Sequence, residues 1–423
     1  MKPTAERLMG LAALLVSATA GADALEPVLT RTKPIVDARM RYEDVEQTPL
    51  TETAQANTVR LRAGFETGKV RSTTLLAEGE AITPLHDEYR ADNSRPLNLT
   101  HPVVADPESY EVNRLQLTNT SLPGTTITLG RQRIVLDDHR FVGNVGWRQN
   151  EQTFDAVRIV NKSVAKLTID SAYLNQVNRI YGPESPQGRY HGDAFLGNVA
   201  YQLPIGKLTT FGYLLDFDPL TDFPGLTAAQ AAALNPTRVS TRTLGMRFSG
   251  ERPVGVLKVG YVGSYAQQSD YGGNPLSFDL DYYTVEIAGT FRQFSLALGQ
   301  EVLEGNGTTG FSTPLATLHR FNGWADKFLT TPADGIDDRS VSAGYALQRI
   351  AMLDALTAAV AYRDYRTERG AVDLGAELDL QLQAKYGRFV ALFKYADYDA
   401  HEGVTPPAYQ DTRKFWVQIE YVW

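Results

Sequence analysis

Apolar and polar residues alternate with a period of two along most of the chain. Val36, Ala38, Met40 and Tyr42 alternate with Asp37, Arg39, Arg41 and Glu43. Val59, Leu61, Ala63 and Phe65 alternate with Arg60, Arg62 and Glu66. The clearest run is Leu374, Ala376, Leu378, Leu380, Leu382, Ala384 and Tyr386, set against Asp373, Glu377, Asp379, Gln381, Gln383 and Lys385. The last residues repeat it: Phe415, Val417, Ile419, Tyr421 and Trp423 share one face, while Lys414, Gln418 and Glu420 share the other. This period is that of a β-strand with two unlike faces. In a soluble sandwich the apolar face would be the core and the charged face would meet water. In a closed barrel the apolar face meets lipid and the charged face lines a lumen.

The joins between strands separate these cases. Counting from Lys33, the pattern predicts roughly eighteen strands. Long joins are expected near 44–57, 81–108, 134–152, 178–189, 218–237, 267–277, 304–338, 364–372 and 399–411. Short ones are expected near 67–69, 120–125, 161–165, 203–207, 249–253, 289–293, 349–355 and 387. Regular alternation of long and short joins is what an all-β, transmembrane, antiparallel up-and-down barrel requires, with long extracellular loops and short periplasmic turns. Closure also removes sheet edges, which nothing in a bilayer core could satisfy.

Both ends of the chain fit this expectation. Lys2 and Arg7 precede an apolar run over 8–16 and then small residues, the layout of a secretory signal peptide. Cleavage is expected after Ala22-Asp23-Ala24, with Ala18-Thr19-Ala20 as the second choice. The expected division is a signal peptide over 1–24 and one barrel domain over 25–423. The final strand, ending on Trp423, resembles the closing strand of bacterial outer-membrane barrels. That resemblance implies recognition by the barrel-assembly machinery and a setting of outer-membrane lipid and lipopolysaccharide.

Composition narrows the function classes. With no cysteine, disulfides, thiolate metal sites and cysteine nucleophiles are excluded. No run of eighteen apolar residues offers a membrane helix. The 423 residues alone would suggest two or three domains, but no linker divides them. A formal charge of −8 argues against nucleic-acid binding. The 21 tyrosines and 17 phenylalanines would supply aromatic girdles.

Lumen chemistry follows from parity. Arg39, Arg41, Arg60 and Arg62 are expected to point inward from the first two strands, with Arg114 joining them. Lys385, Lys394 and Lys414 come from the last three strands, which closure brings beside the first. Such a wall favours anions, and arginine grips carboxylates with a two-donor fork. The competing reading is that these cations pair with inward acids, among them Asp37, Glu43, Glu66, Glu377, Asp379 and Glu420, and select nothing. Arg131 and Arg133 share the apolar parity of Leu129; a bulge at Gly130 would turn both inward, and inward is the expectation. Trp147 and Arg148 then sit on a loop above or inside the lumen. The join 304–338 carries Phe311, Leu315, Leu318, Phe321, Trp324 and Phe328, so it is expected to pack, forming a constriction with Phe321, Trp324 and Lys327. Residues 227–234 read as a short capped helix.

Two segments resemble the alginate-export porin family. One is Gly130-Arg131-Gln132-Arg133-Ile134 with Arg140-Phe141-Val142-Gly143-Asn144-Val145-Gly146-Trp147-Arg148-Gln149-Asn150-Glu151. The other is Phe311-Ser312-Thr313-Pro314-Leu315 with His319-Arg320-Phe321-Asn322-Gly323-Trp324-Ala325-Asp326-Lys327-Phe328. The resemblance implies a large monomeric barrel, an anionic solute or polyuronate as cargo, and an arginine-lined pore. It also raises the expectation of a periplasmic export partner.

Catalysis finds little support. His86, His101, His139, His191, His319 and His401 are scattered singly, so neither a metal nor a cofactor site is expected. Asp137-Asp138-His139 reads as a solvated surface. No Gly-x-Ser-x-Gly turn supports a lipase-like barrel enzyme. A general or cationic-solute porin and a plugged structural barrel also fit the strand pattern. At this strand number a channel is favoured over a plug.

Overall fold

A computed structural model describes residues 28, 30–91, 100–220, 226–401 and 409–423. The expected signal peptide lies outside the described residues. The strands are β1 (Lys33–Gln47), β2 (Ala54–Glu66), β3 (Thr73–Glu88), β4 (Ser109–Asn119), β5 (Thr125–Gln132), β6 (Thr153–Asn161), β7 (Leu167–Asn178), β8 (Arg189–Leu203) and β9 (Gly206–Phe217). They continue with β10 (Thr241–Val254), β11 (Leu257–Asp270), β12 (Asp279–Phe291), β13 (Phe294–Leu303), β14 (Ile336–Ile350), β15 (Leu353–Arg366), β16 (Asp373–Tyr386), β17 (Phe389–Asp399) and β18 (Thr412–Val422). Each strand pairs antiparallel with the next, and β18 pairs with β1, so the 18-stranded sheet closes on itself. In the closing register Arg39 faces Glu420 and Arg41 faces Gln418.

The expected strand number and alternation of joins are both present, with shifted boundaries. β1 and β2 keep pairing up to Val45 and Ala54, so the join expected at 44–57 shrinks to 48–53. β3 runs on to Glu88 because a register shift beside Asn57 lets it stay paired with β2. The turn expected at 249–253 falls at 255–256, where Gly255 has φ of 60°. The expected helix is α1 (Ala228–Ala233), with Thr227 and Gln230 forming a capping box.

Burial is inverted relative to a soluble protein. Met40 is 48% exposed, while Arg41 beside it is 1% exposed. Leu61, Met246, Ile287, Leu298, Leu382 and Ile419 likewise lie exposed around the barrel. The apolar face therefore points outward on strands across the whole sheet, as a lipid-facing belt requires. The buried apolar cluster is inside the barrel. Inward residues such as Tyr213, Tyr282 and Tyr365 pack there against Val142, Phe311, Leu315 and Phe328 from loops 133–152 and 304–335.

Candidate functional site

Loops 133–152 and 304–335 fold into the barrel and meet each other. Val142 and Leu315 form a parallel bridge. Gln152 Nε2 donates to the Gly143 carbonyl at 2.9 Å and the Leu315 carbonyl at 3.0 Å. Arg140 ties the pair to the wall: Nε donates to Glu301 on β13 at 2.7 Å, and the other nitrogens reach Thr313 and Asn322. The Asp137-Asp138-His139 segment is exposed at Asp137 and half-buried at its two neighbours, and it also pairs with the wall. Asp137 accepts from Asn198 on β8 and Lys207 on β9, and Asp138 pairs with Arg247 on β10 at 2.8 Å. These contacts anchor loop 133–152 to the side of the barrel opposite β1 and β2.

The other end of that loop docks on the basic wall, and the wall is almost fully paired. Arg39 meets Glu420 at 2.8 Å, and Arg60 meets Asp37 at 2.5 Å and Glu420 at 3.0 Å. Arg62 binds Glu80 and lies 3.6 Å from Glu151. Arg114 binds Glu78 at 2.7 Å, while Arg133 binds Glu151. Arg41 meets Asp106 at 3.2 Å; Arg148 meets Glu43 at 3.0 Å and Asp326 at 3.0 Å. Seven arginines thus face eight wall and loop acids, Asp37, Glu43, Glu78, Glu80, Asp106, Glu151, Asp326 and Glu420. Burial alone would raise the Glu151 carboxyl, but Arg62 and Arg133, with an Asn113 hydrogen bond, hold it down at about 2.

Several residues expected to line an open path are covered instead. Arg41, Arg60, Glu377 and Asp379 are at most 1% exposed. They do face inward, but the loops sit on top of them. Glu377 accepts from the Ala325 amide at 2.7 Å, with Gly323 so close that a Cβ there would lie 2.2 Å from its Oε2. Asp379 lies 4.0 Å from Arg363, which binds Asp338 at 2.6 Å. Lys385, by contrast, is exposed near the β16–β17 turn.

Arg131 departs from the expected inward orientation. Gly130 has φ of 109°, but the registers of β5 with β4 and β6 run without a shift, so no bulge changes the parity. Arg131 stays in line with exposed Leu129 and is met by a two-pronged contact with Asp155, at 2.7 and 3.1 Å. That pairing offsets the cost of a cation on the outer face. Arg133 lies beyond the strand end and does turn inward.

The centre is a cluster of cations and aromatic rings. Lys394 Nζ sits 3.6 Å from the Trp324 ring centroid, 4.1 Å from Trp147 and 5.5 Å from Trp416. Arg41 lies 4.1 Å over Trp147. His319 stacks on Trp147 at 4.5 Å with the rings 2° from parallel. Burial pushes the His319 imidazole well below its usual range, so it is neutral. Its Nδ1 donates to Asp326 at 2.7 Å, which leaves Nε2 to accept from Lys394 at 2.8 Å. Asp326 also accepts from Lys414 at 2.8 Å. Burial would raise its carboxyl, but the His319 N–H and the charges of Lys414 and Arg148 hold it well below the usual range. Lys327 donates to Thr412 at 2.8 Å, and burial together with the nearby Lys414 charge pushes its ammonium down to about 8. Phe321 packs beneath Arg140, 4.8 Å from ring centroid to guanidinium.

Sequence reasoning missed His319, Asp326 and Trp416. His319 looked isolated because its partners are remote in sequence. Trp416 breaks the apolar-out rule: it points inward and is fully buried, and its place on the polar parity of Lys414 and Gln418 was the available signal.

Beside the cluster lies a chamber of about 440 Å³. Arg140, Arg148, Arg179, Arg238, His319 and Asp326 contribute its polar lining, with Tyr181, Tyr190, Phe311 and Phe328 among its rings. Arg179 lies 4.3 Å over Tyr190 and 5.0 Å over Tyr181. Among the described residues, neither Arg179 nor Arg238 has a carboxylate partner.

No family model matches the chain, and no curated protein matches it. Solved structures do. The Pseudomonas aeruginosa protein OccK9 (OpdG) is similar over 94% of this chain and 99% of its own, at 14% identity and a TM-score of 0.69. OpdK from the same organism, solved with vanillate, is similar over 93% and 98%, at 14% identity and a TM-score of 0.66. OccK2 (OpdF) is similar over 92% and 97%, at 13% identity and a TM-score of 0.63. At such identities the likeness is one of fold. This chain has a closed 18-stranded barrel that matches those structures, and that fold with its apolar outer belt places it in the bacterial outer membrane.

Proposed function

We propose that this barrel is a monomeric, non-enzymatic channel for small organic anions, above all carboxylates carried on a flat ring. The observation that carries this reading is the chamber. It presents four arginines against one aspartate, and two of those arginines lack carboxylate partners among the described residues. Its tyrosine and phenylalanine rings suit an aromatic body, while guanidinium groups suit a carboxylate. A chamber of about 440 Å³ suits one small acid. The vanillate bound to OpdK, itself an aromatic carboxylate, agrees with this choice. A polyuronate, which the sequence resemblance implies, is a larger cargo of the same charge and would have to thread between the two inward loops.

A second reading has its own observation. The pairing of wall arginines with acids leaves little net charge there, which favours a general porin. Reversal potentials of purified protein in planar bilayers under a KCl gradient decide between them. Anion preference, with current block by benzoate at lower concentration than by an alginate oligomer, is expected. A cation-preferring pore unaffected by benzoate would overturn the proposal.

A further inference from the structure

Asp326 is bound as a solute carboxylate would be. One oxygen takes the His319 N–H at 2.7 Å, and the other takes Lys414 at 2.8 Å and Arg148 at 3.0 Å. These donors come from three places: loop 304–335, strand β18 and loop 133–152. The carboxylate borders the chamber together with Arg148 and His319, with Lys414 buried behind it. Its backbone is held in the left-handed region at φ of 60°, which non-glycine residues rarely occupy. Two further donors are nearby. The indole N–H groups of Trp147 and Trp416 are buried and lack a partner among the described residues, though both rings belong to the cluster around Lys394 and His319.

We infer that Arg148, Lys414 and His319 form the carboxylate-binding position of the channel, and that Asp326 is its tethered occupant, exchanged for the carboxylate of a passing solute. This rests on the anion-channel reading and names the group that a solute must displace. Arg148 keeps Glu43 as a second partner and Lys414 meets Asp326 alone among its direct carboxylate contacts, while Lys394 reaches His319 and not Asp326. The internal carboxylate keeps weaker anions from settling.

The test is benzoate block of single-channel current in Asp326→Asn. Removing the competing charge should tighten block by about tenfold, because the charge-assisted donors no longer have an internal partner. It should also raise anion preference. Unchanged or weaker block in an anion-preferring, trypsin-resistant D326N barrel would overturn the inference. If D326N does not assemble, D326S is read the same way, and failure of both would show the pairing to be a folding requirement, which also overturns exchange. The two proposals fail separately. Tighter block in D326N with a cation-preferring wild-type pore would sink the channel reading and keep the site.

Discussion

Two walls of this barrel are built from opposite materials. On β1–β3 and β17–β18, the inward residues are long and charged, and the loops bury them. Arg39, Arg41, Arg60, Arg62, Glu80, Lys394 and Lys414 are all at most 8% exposed. Towards the short-turn ends of β13–β15 the inward residues are small, such as Ser295, Ala297, Gly299, Ser340, Ser342, Gly344, Ala359 and Ala361, and they are partly or fully exposed. Pairing continues through both sides, with register shifts beside Asn57 and Glu78 on the charged side. What differs is what the side chains can do. Long charged groups reach the inward loops and hold them, while small groups leave room for water. The constriction is therefore one-sided. Density of arginine marks where the loops are fastened, which is different from where a solute meets free charge.

The largest expected effect comes from breaking the fastened wall. Glu151 is fully buried between Arg62, Arg133 and Asn113. Glu151→Gln takes one acid from Arg62, which keeps Glu80, and from the partly exposed Arg133, and should cost about 1–3 kcal/mol. Urea unfolding in detergent, followed by heat-modifiable mobility, measures it. The sign with pH is set by the lowered carboxyl. Stability from this group is complete above about 4.5, the ordinary glutamate value, and is lost as pH falls towards about 2. The glutamine variant should lack that acid-dependent phase.

Next is the charge balance of the same wall. Arg60→Gln with Arg62→Gln frees Asp37 and Glu80 from their partners and leaves Glu420 with Arg39 alone. The reversal potential should move past neutral towards cations. Unchanged selectivity would mean that ions do not pass along this wall at all.

A smaller effect separates the constriction from the wall. Lys327 titrates at about 8. Its side chain is therefore neutral above that pH and cationic below it. Anion preference should grow as pH falls from 9 to 7, and Lys327→Met should flatten that slope while leaving the pH 9 value nearly unchanged.

The smallest effects belong to the open wall. Ser342→Asp places a charge in water, so it should shift selectivity slightly towards cations at 0.01 M salt, where the Debye length is roughly 30 Å, and not at 1 M, where it is roughly 3 Å. Lys385→Gln should do no more in size. A large effect of Ser342→Asp would put the ion path against β14 and reverse the comparison.

Strand number, the alternation of joins and the inward facing of Arg39, Arg41, Arg60, Arg62, Lys394 and Lys414 were all legible in the chain. They depend on a period of two, which is a local property of extended backbone, and on join length, which is counted directly. Closure itself followed from edge chemistry. What only the tertiary structure decided is who meets whom. Arg148 finds Glu43 and Asp326, residues far from it in sequence, because two loops fold inward and touch. His319 becomes central only when Trp147 and Lys394 close on it. Arg131 stays outward because the register does not slip at Gly130. Alternation determines the face a side chain takes. The charge that a solute meets depends on pairings across the lumen, and those exist only once the sheet has closed and the loops have packed inside it.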